Sequence, residues 1–401
     1  MNFKSRNFCI LPWTHIYFFT DGYAYPCPKL AGNKKFRLGS NNDNLSELWN
    51  SDVLKTMRLK MLRDEAIKEC DMHCNNNITS CKKFVGNDLL DCSMQFIQST
   101  NTDGSVDNIN FIGANVIENN KCNFKCQYCC KDYSNLHSTS KQIQNTFNNQ
   151  NAIFENLSNL KEIWLAGGEP VIEEKTYELL DCLIKNNQTN IRLRVITNLS
   201  NIEYKGKKFY ELLRLFSDCI VFGSWDMDGK IGEYIRKNSN SNIILNNIRY
   251  IKSLGIKLCL QPVISIFNIM HIYKFHKRLY NLELIGKQDM RYYTLTSPKI
   301  YRISILPKNV KVKVTEDLYN YVNWLNSDKI TDFYANLEHP GTFVKKIINL
   351  MNTGKGGHED NGDCSQLFNE FLKFTYSQDI KTYGYFKFSN LYKEYKLDEY
   401  I

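Results

Sequence analysis

Residues 121 to 130 read KCNFKCQYCC, four cysteines in ten positions. Cys122, Cys126 and Cys129 have the spacing C-x3-C-x2-C, and Cys130 sits directly behind the third. Three thiolates can hold three irons of a cubane and leave the fourth iron open, which chemistry requires; a fourth cysteine would close the cage for electron storage alone. Zinc also takes closely spaced cysteines, usually as C-x2-4-C pairs completed by a second pair farther on. On spacing alone iron-sulfur, zinc and no metal all stay open. Cys130 would point away from Cys129 if the backbone is extended there, which makes it a bystander.

The 401 residues hold fourteen cysteines. The start, MNFKSRNFCILPWTHIYFF, has no small-residue cleavage site after its mixed apolar run and does not read as a signal peptide. No run of eighteen apolar residues marks a membrane helix. The expected address is the cytoplasm, where thiols stay reduced and clustered cysteines serve as ligands or catalytic groups rather than disulfides. Cys182, Cys219 and Cys259 sit singly in apolar patterns as small buried hydrophobes. Cys364 stands alone in a polar loop. The net charge of +9 comes from dispersed lysines rather than a compact basic stripe, so a solvated surface is favoured over nucleic-acid binding.

From about residue 107 short apolar runs alternate with helical patterns. Candidate strands are 108 to 116, 162 to 167, 191 to 197, 219 to 225, 256 to 264 and 291 to 296. Between them, helices are expected near 141 to 158, 172 to 187, 208 to 217, 240 to 254 and 267 to 282. This rhythm predicts an α/β fold with parallel strands joined by right-handed crossovers. Six strands are too few for a closed eight-fold barrel, so a partial barrel or an open sheet follows, with ligands at the carboxyl ends of the strands. Two more helices are expected at 313 to 327 and 343 to 352. The tail 383 to 401 interleaves aromatics with lysines, a pattern that favours rings packed on the body with the lysines wet.

The front quarter is rich in Cys, Asn and turn residues. Cys9 and Cys27 flank a D-G turn between two alternating runs, a hairpin signal. One helix is expected from Ser46, with Leu48, Trp49, Val53, Met57 and Met61 sharing its apolar face and Asp52, Lys55 and Arg58 largely outside it. Cys70, Cys74 and Cys81 follow. The pattern fits a small metal-stapled domain.

C-x3-C-x2-C with Tyr128 before the last cysteine resembles the signature of the radical S-adenosylmethionine (radical SAM) enzymes. The likeness continues through AGGEP after the second strand, ITNLS after the third, SWDMDG after the fourth and EYIRKNSN beyond. The resemblance implies a partial (β/α)6 TIM-like barrel in which Cys122, Cys126 and Cys129 hold a 4Fe-4S cluster. It implies that Gly167, Gly168 and Glu169 meet the amino group of SAM, and that Ser224 and Asp226 contact the ribose. Arg236 would pair with the methionine carboxylate, Asn198 belongs to the third motif, and backbone around Tyr128 and the QPVI segment would border the adenine. The front end resembles the twitch or half-SPASM auxiliary domain, which implies a second 4Fe-4S cluster held by Cys9, Cys27, Cys70 and Cys74. His73 stands where the family more often has its second closing cysteine, so Cys81 competes with Cys74 for the last position, and zinc is the structural alternative.

The expected organisation is an auxiliary-cluster domain over 1–105, a radical SAM core over 106–310 and a helical C-terminal extension over 311–401. The implied activity is reductive, oxygen-sensitive cleavage of SAM to a 5′-deoxyadenosyl radical that removes a hydrogen atom, fed by a reductant such as a flavodoxin or ferredoxin. Twitch and SPASM relatives often act on ribosomally made peptides, so a peptide or protein substrate comes first. A sugar, nucleotide or lipid-linked glycan is the second reading. A non-catalytic, metal-stapled nucleic-acid-binding protein is the third.

Overall fold

The apolar runs after residue 107 pair in parallel because each is short and is followed by enough chain to cross back over the sheet. The computed structural model describes residues 7–70, 94–139, 153, 157–327, 339–354 and 364–381. Its strands are β1 (His15–Phe18), β2 (Tyr23–Tyr25), β3 (Gly39–Ser40), β4 (Gly113–Ile117), β5 (Lys125–Cys126), β6 (Glu162–Ala166) and β7 (Arg192–Thr197). They continue with β8 (Glu203–Tyr204), β9 (Lys207–Lys208), β10 (Asp218–Gly223), β11 (Arg236–Lys237), β12 (Lys257–Leu260), β13 (Val263–Ile264) and β14 (Tyr293–Thr294).

Eight strands form one sheet in the order β12-β10-β7-β6-β4-β1-β2-β3. From β4 to β12 each strand pairs in parallel with the next, and β13 pairs in parallel with β14 beyond them. Helices Glu174–Lys185, Phe209–Leu213, Ser241–Ser253 and Ile272–Asn281 lie in the crossovers. The fold is α/β, a partial (β/α)6 TIM-like barrel. Val116, Leu165, Val195, Val221 and Leu260 are buried on successive strands and carry its core. Trp164 stacks on Phe222 at 5.3 Å in a satellite cluster that also buries Cys259.

The front hairpin, β1 with β2, forms as expected, but β1 also pairs in parallel with β4. The buried His15 ring accounts for the join: a Cβ added to Gly113 would lie 2.2 Å from it, and its Nε2 meets Asn115 Oδ1 at 3.0 Å. Burial lowers the His15 pKa to about 4, so the ring is neutral inside the sheet.

Several local expectations are corrected. The helix expected from Ser46 is two helices, Leu45–Trp49 and Asp52–Leu62, because Ser51 Oγ accepts from Leu54 N and starts a new one. The break turns Leu54 and Arg58 inward and leaves Val53 half-buried. Arg58 is fully buried, donating to the carbonyls of Pro12 (2.9 Å), Trp49 (2.8 Å) and Gly104 (3.3 Å). The run 256 to 264 splits into β12 and β13 at Pro262, which has no N–H for a ladder. Cys364 begins the helix Cys364–Lys381 instead of standing in a loop. The helix expected near 141 to 158 lies mostly, and the tail 383 to 401 wholly, outside the described residues. Among the described residues no helix is long and apolar enough to cross a membrane.

Arg58 joins three backbone segments through carbonyls that are buried with it. Arg58→Met is expected to destabilise the chain by roughly 3 kcal/mol, since truncation strands buried carbonyls. Urea unfolding checks this, and a wild-type midpoint would exclude a structural role for the guanidinium.

Candidate metal centre

The cysteine loop leaves β4 and immediately meets the turn after β6. Gly168 N donates to Asn119 O (3.0 Å) and Glu169 N to Lys121 O (2.8 Å). The approach is so close that a Cβ on Gly168 would lie 2.1 Å from Lys121 O, and Gly167 has φ +143°, a conformation suited to glycine. Lys121 Nζ reaches Ile172 O at 2.7 Å, and Asn119 Nδ2 reaches Glu173 Oε2 at 2.6 Å. Asn135 Oδ1 accepts from Cys122 N at 3.1 Å, closing the loop from its far end.

Cys126 lies in β5, paired antiparallel with Arg236 of β11. It is buried, Cys122 and Cys129 are half-buried, and Cys130 is exposed. Donors face two of the sulfurs: Phe124 N is 3.4 Å and Asn198 Nδ2 4.0 Å from Cys122 Sγ, and Arg236 Nη1 is 3.9 Å from Cys126 Sγ. Burial pushes the Cys122 thiol up to about 11 and Cys129 up to about 12, and raises Cys126 as well. The thiols are therefore protonated at neutral pH until a metal displaces the protons. Among the described residues no three Cys, His, Asp or Glu side chains are placed to hold a single metal ion. A cubane gives each thiolate its own iron, so one buried and two half-buried thiols with N–H groups aimed at two of them fit such a group.

Glu169 is buried, with Oε1 accepting from Thr197 Oγ1 (2.6 Å) and Val171 N (3.2 Å) and Oε2 from Asn198 N (2.6 Å). A carboxylate has about four lone-pair sites, so one remains for an ammonium. Desolvation raises its pKa to about 7, against the hydrogen bonds that lower it. Asn198 Nδ2 also donates to Asn123 Oδ1 at 2.8 Å. Ser224 is half-buried, its N–H on Thr197 O.

Asp226 and Arg236, expected at the ribose and the carboxylate, are paired with each other. Arg236 Nε and Nη2 each lie 3.0 Å from an Asp226 oxygen, Val263 N donates to Oδ1 at 2.9 Å, and Tyr128 Oη donates to Oδ2. Thr197, Asn123 and Asn135 escaped the sequence reading; only the place of Thr197 inside ITNLS pointed to it.

The front cysteines sit on segments tied to one another. Asn7 Nδ2 bonds Asp64 two residues before Cys9, and Lys35 pairs with Glu69 at 2.7 Å beside Cys70. Cys27 is buried, while Cys9 and Cys70 are half-buried. Cys74 and Cys81 lie outside the described residues. Phe19, just past β1, packs its ring 5.6 Å from that of Tyr133 beyond the cysteine loop and 5.9 Å from that of Tyr17.

Residues 117–278 match the family described as Radical SAM superfamily, and residues 9–75 match SPASM, the iron-sulfur cluster-binding domain. No curated protein matches. Among solved structures, anSMEcpe with bound AdoMet is similar at 16% identity and TM-score 0.42, covering 55% of this chain and 63% of its own. SuiB of Streptococcus suis bound to S-adenosylmethionine is similar at 13% identity and TM-score 0.43, covering 69% and 60%. The radical SAM methyltransferase TsrM of Kitasatospora setae is similar at 11% and 0.35, covering 46% and 34%. The chain thus spans about six tenths or less of the length of these proteins.

A side chain at 168 has no room. Gly168→Ala is expected to lose most of its iron after anaerobic reconstitution, read as iron and sulfide per chain; full loading would mean the backbone contact is dispensable. In the cluster-free protein, the Glu169 pKa lies above its ordinary 4.5, so the stability it lends is complete below that value and is lost as pH rises through about 7. The expected loss is roughly 3 kcal/mol, seen as a denaturation midpoint that falls between pH 4.5 and 7 and falls less in Glu169→Gln.

Proposed function

We propose that this chain, which belongs to the radical SAM superfamily of enzymes and carries an iron-sulfur cluster-binding domain ahead of its core, modifies a peptide or protein by hydrogen-atom abstraction. The two domains imply a 4Fe-4S cluster with S-adenosylmethionine and an auxiliary iron-sulfur cluster. When bound and reduced, the first cluster supplies the electron that splits SAM to a 5′-deoxyadenosyl radical.

The chain's own residues take the remaining tasks. Cys122, Cys126 and Cys129 hold the cluster, with N–H groups on two sulfurs. Gly167 and Gly168 let the backbone approach the methionine part, and Glu169 accepts from its ammonium. Cys9, Cys27 and Cys70, with Cys74 or Cys81, hold the second cluster. The three-part division at about 105 and 310 belongs to the same proposal, as does a flavodoxin or ferredoxin as electron donor.

The observation that carries the reading is the β1–β4 ladder, which joins the front cysteine segment to the strand leading into the C-x3-C-x2-C loop, with the Phe19 ring 5.6 Å from that of Tyr133 just after the loop. A zinc staple for the front domain alone has no use for that proximity, whereas two clusters serving one substrate do. The pairing of a SPASM domain with the core supports a peptide rather than a glycan or nucleotide.

Anaerobically reconstituted protein with SAM and dithionite is expected to release 5′-deoxyadenosine, and a deuterated peptide to pass label into it. No product from cluster-replete protein would defeat the enzyme reading; label arriving only from a small molecule would defeat the peptide choice. Cys126→Ala is expected to abolish cleavage, because two thiolates hold the cubane poorly. Cys27→Ala is expected to lower iron content while some cleavage persists, and undiminished iron would strike Cys27 from the ligand set.

A further inference from the structure

The buried ion pair behind Cys126 is built more elaborately than a cofactor contact requires. Both Asp226 oxygens are filled: Oδ1 by Arg236 Nη2 (3.0 Å) and Val263 N (2.9 Å), Oδ2 by Arg236 Nε (3.0 Å) and Tyr128 Oη. Asn268 Nδ2 holds the Asp226 carbonyl at 3.1 Å. With about four acceptor sites on a carboxylate, none is left for a ribose hydroxyl. The side chains are 0% and 9% exposed.

Arg236 is fixed twice over. Its backbone is the ladder partner of Cys126, and its fork is gripped through Nε and Nη2. The remaining nitrogen, Nη1, is thereby turned onto Cys126 Sγ at 3.9 Å. A planar guanidinium presents its donors in a rigid fork, so holding one edge aims the other.

We propose that Asp226 is a positioning residue that aims Arg236 at Cys126, and that this pair raises the reduction potential of a cluster bound at Cys122, Cys126 and Cys129. The inference rests on the reading of those cysteines as cluster ligands. Reduction adds one negative charge to the cluster. The pair is neutral in sum but oriented, with its cationic end toward the sulfur and its carboxylate behind, and at close range inside a low dielectric the nearer charge dominates. Hydrogen bonds to cluster sulfurs and nearby charge are the protein's means of setting such potentials.

The test uses full-length reconstituted protein, without SAM, and the reduced EPR signal that later responds to added SAM. In wild-type protein carrying isotopically labelled arginine nitrogens, pulsed EPR is expected to show a labelled-nitrogen coupling that disappears in Arg236→Lys. The Asp226→Asn, Arg236→Gln double variant removes both charges and strands neither. At full iron content its reduced-to-oxidised ratio at fixed poise is expected to fall about tenfold, about 59 mV for one electron. A wild-type midpoint in that variant would overturn the proposal, because a merely structural pair leaves the potential alone. Should the variant fail to load, the wild-type coupling decides: its absence from a loaded cluster overturns the proposal with no variant needed. A wild type with no SAM-responsive signal removes the ligand reading itself, and the inference with it.

Discussion

The contact on which the site depends is the passage of the Gly168 backbone against Lys121. Two backbone hydrogen bonds cross there, from Gly168 N to Asn119 O and from Glu169 N to Lys121 O, at a distance that admits no Cβ. The first thiol and the buried carboxylate of the proposed site hang on either side of this crossing. Cys122 follows Lys121 directly, so the crossing sets where the first thiol stands. Glu169 follows Gly168 directly, so the same crossing sends its carboxylate toward Thr197 and Asn198 on the next strand. A close backbone approach is more exact than a side-chain contact because it has no rotamers to lose. It is also intolerant, which explains why two glycines stand together there.

The core strands and the cysteine motif are legible because they are local signals. C-x3-C-x2-C lies within eight residues, and each core strand is a single apolar run. What escaped was long in sequence and short in space. Nothing in THIYF announces that β1 lies beside β4 rather than only in a hairpin; the decisive contact is a histidine ring over Gly113, about a hundred residues away. A single helix running through Asn50 would put Arg58 largely outside the apolar face, but the new start at Ser51 shifts the phase and turns it inward. The motif residues Asp226 and Arg236 were found in the sequence, but their engagement with each other was not, since a pattern gives position along the chain and not which of two buried charges finds which partner.

Burying that pair is costly in itself. Replacing a buried ion pair by packed apolar residues is often neutral or favourable for stability, so stability is a weak reason for Asp226 and Arg236. Every one of their neighbours argues against accident. Tyr128 comes from the cysteine motif, Val263 from the strand after Pro262, and Asn268 from the loop beyond it. Tyr128 and Val263 thus converge on one carboxylate and Asn268 on the same residue's carbonyl, at the mouth of the barrel, where parallel α/β folds place their chemistry.

The join of β1 to β4 has a further consequence for the front cysteines. A tethered domain on a flexible linker would sample many separations from the core, whereas a parallel ladder over four residue pairs fixes the register of Tyr17 against Asn115. Because successive side chains alternate across a strand, a slip by one residue would turn Tyr17 to the opposite face and part Phe19, whose ring stacks on it at 5.9 Å, from the ring of Tyr133. His15 prevents that slip: its ring fits only over a residue without a Cβ, and its Nε2 finds Asn115 only in this register. The spacing between the two groups of cysteines is therefore set by the packing of one neutral histidine inside the sheet. A charged ring there would have to be desolvated at a cost the single amide contact cannot offset, and the depressed pKa follows from the same burial.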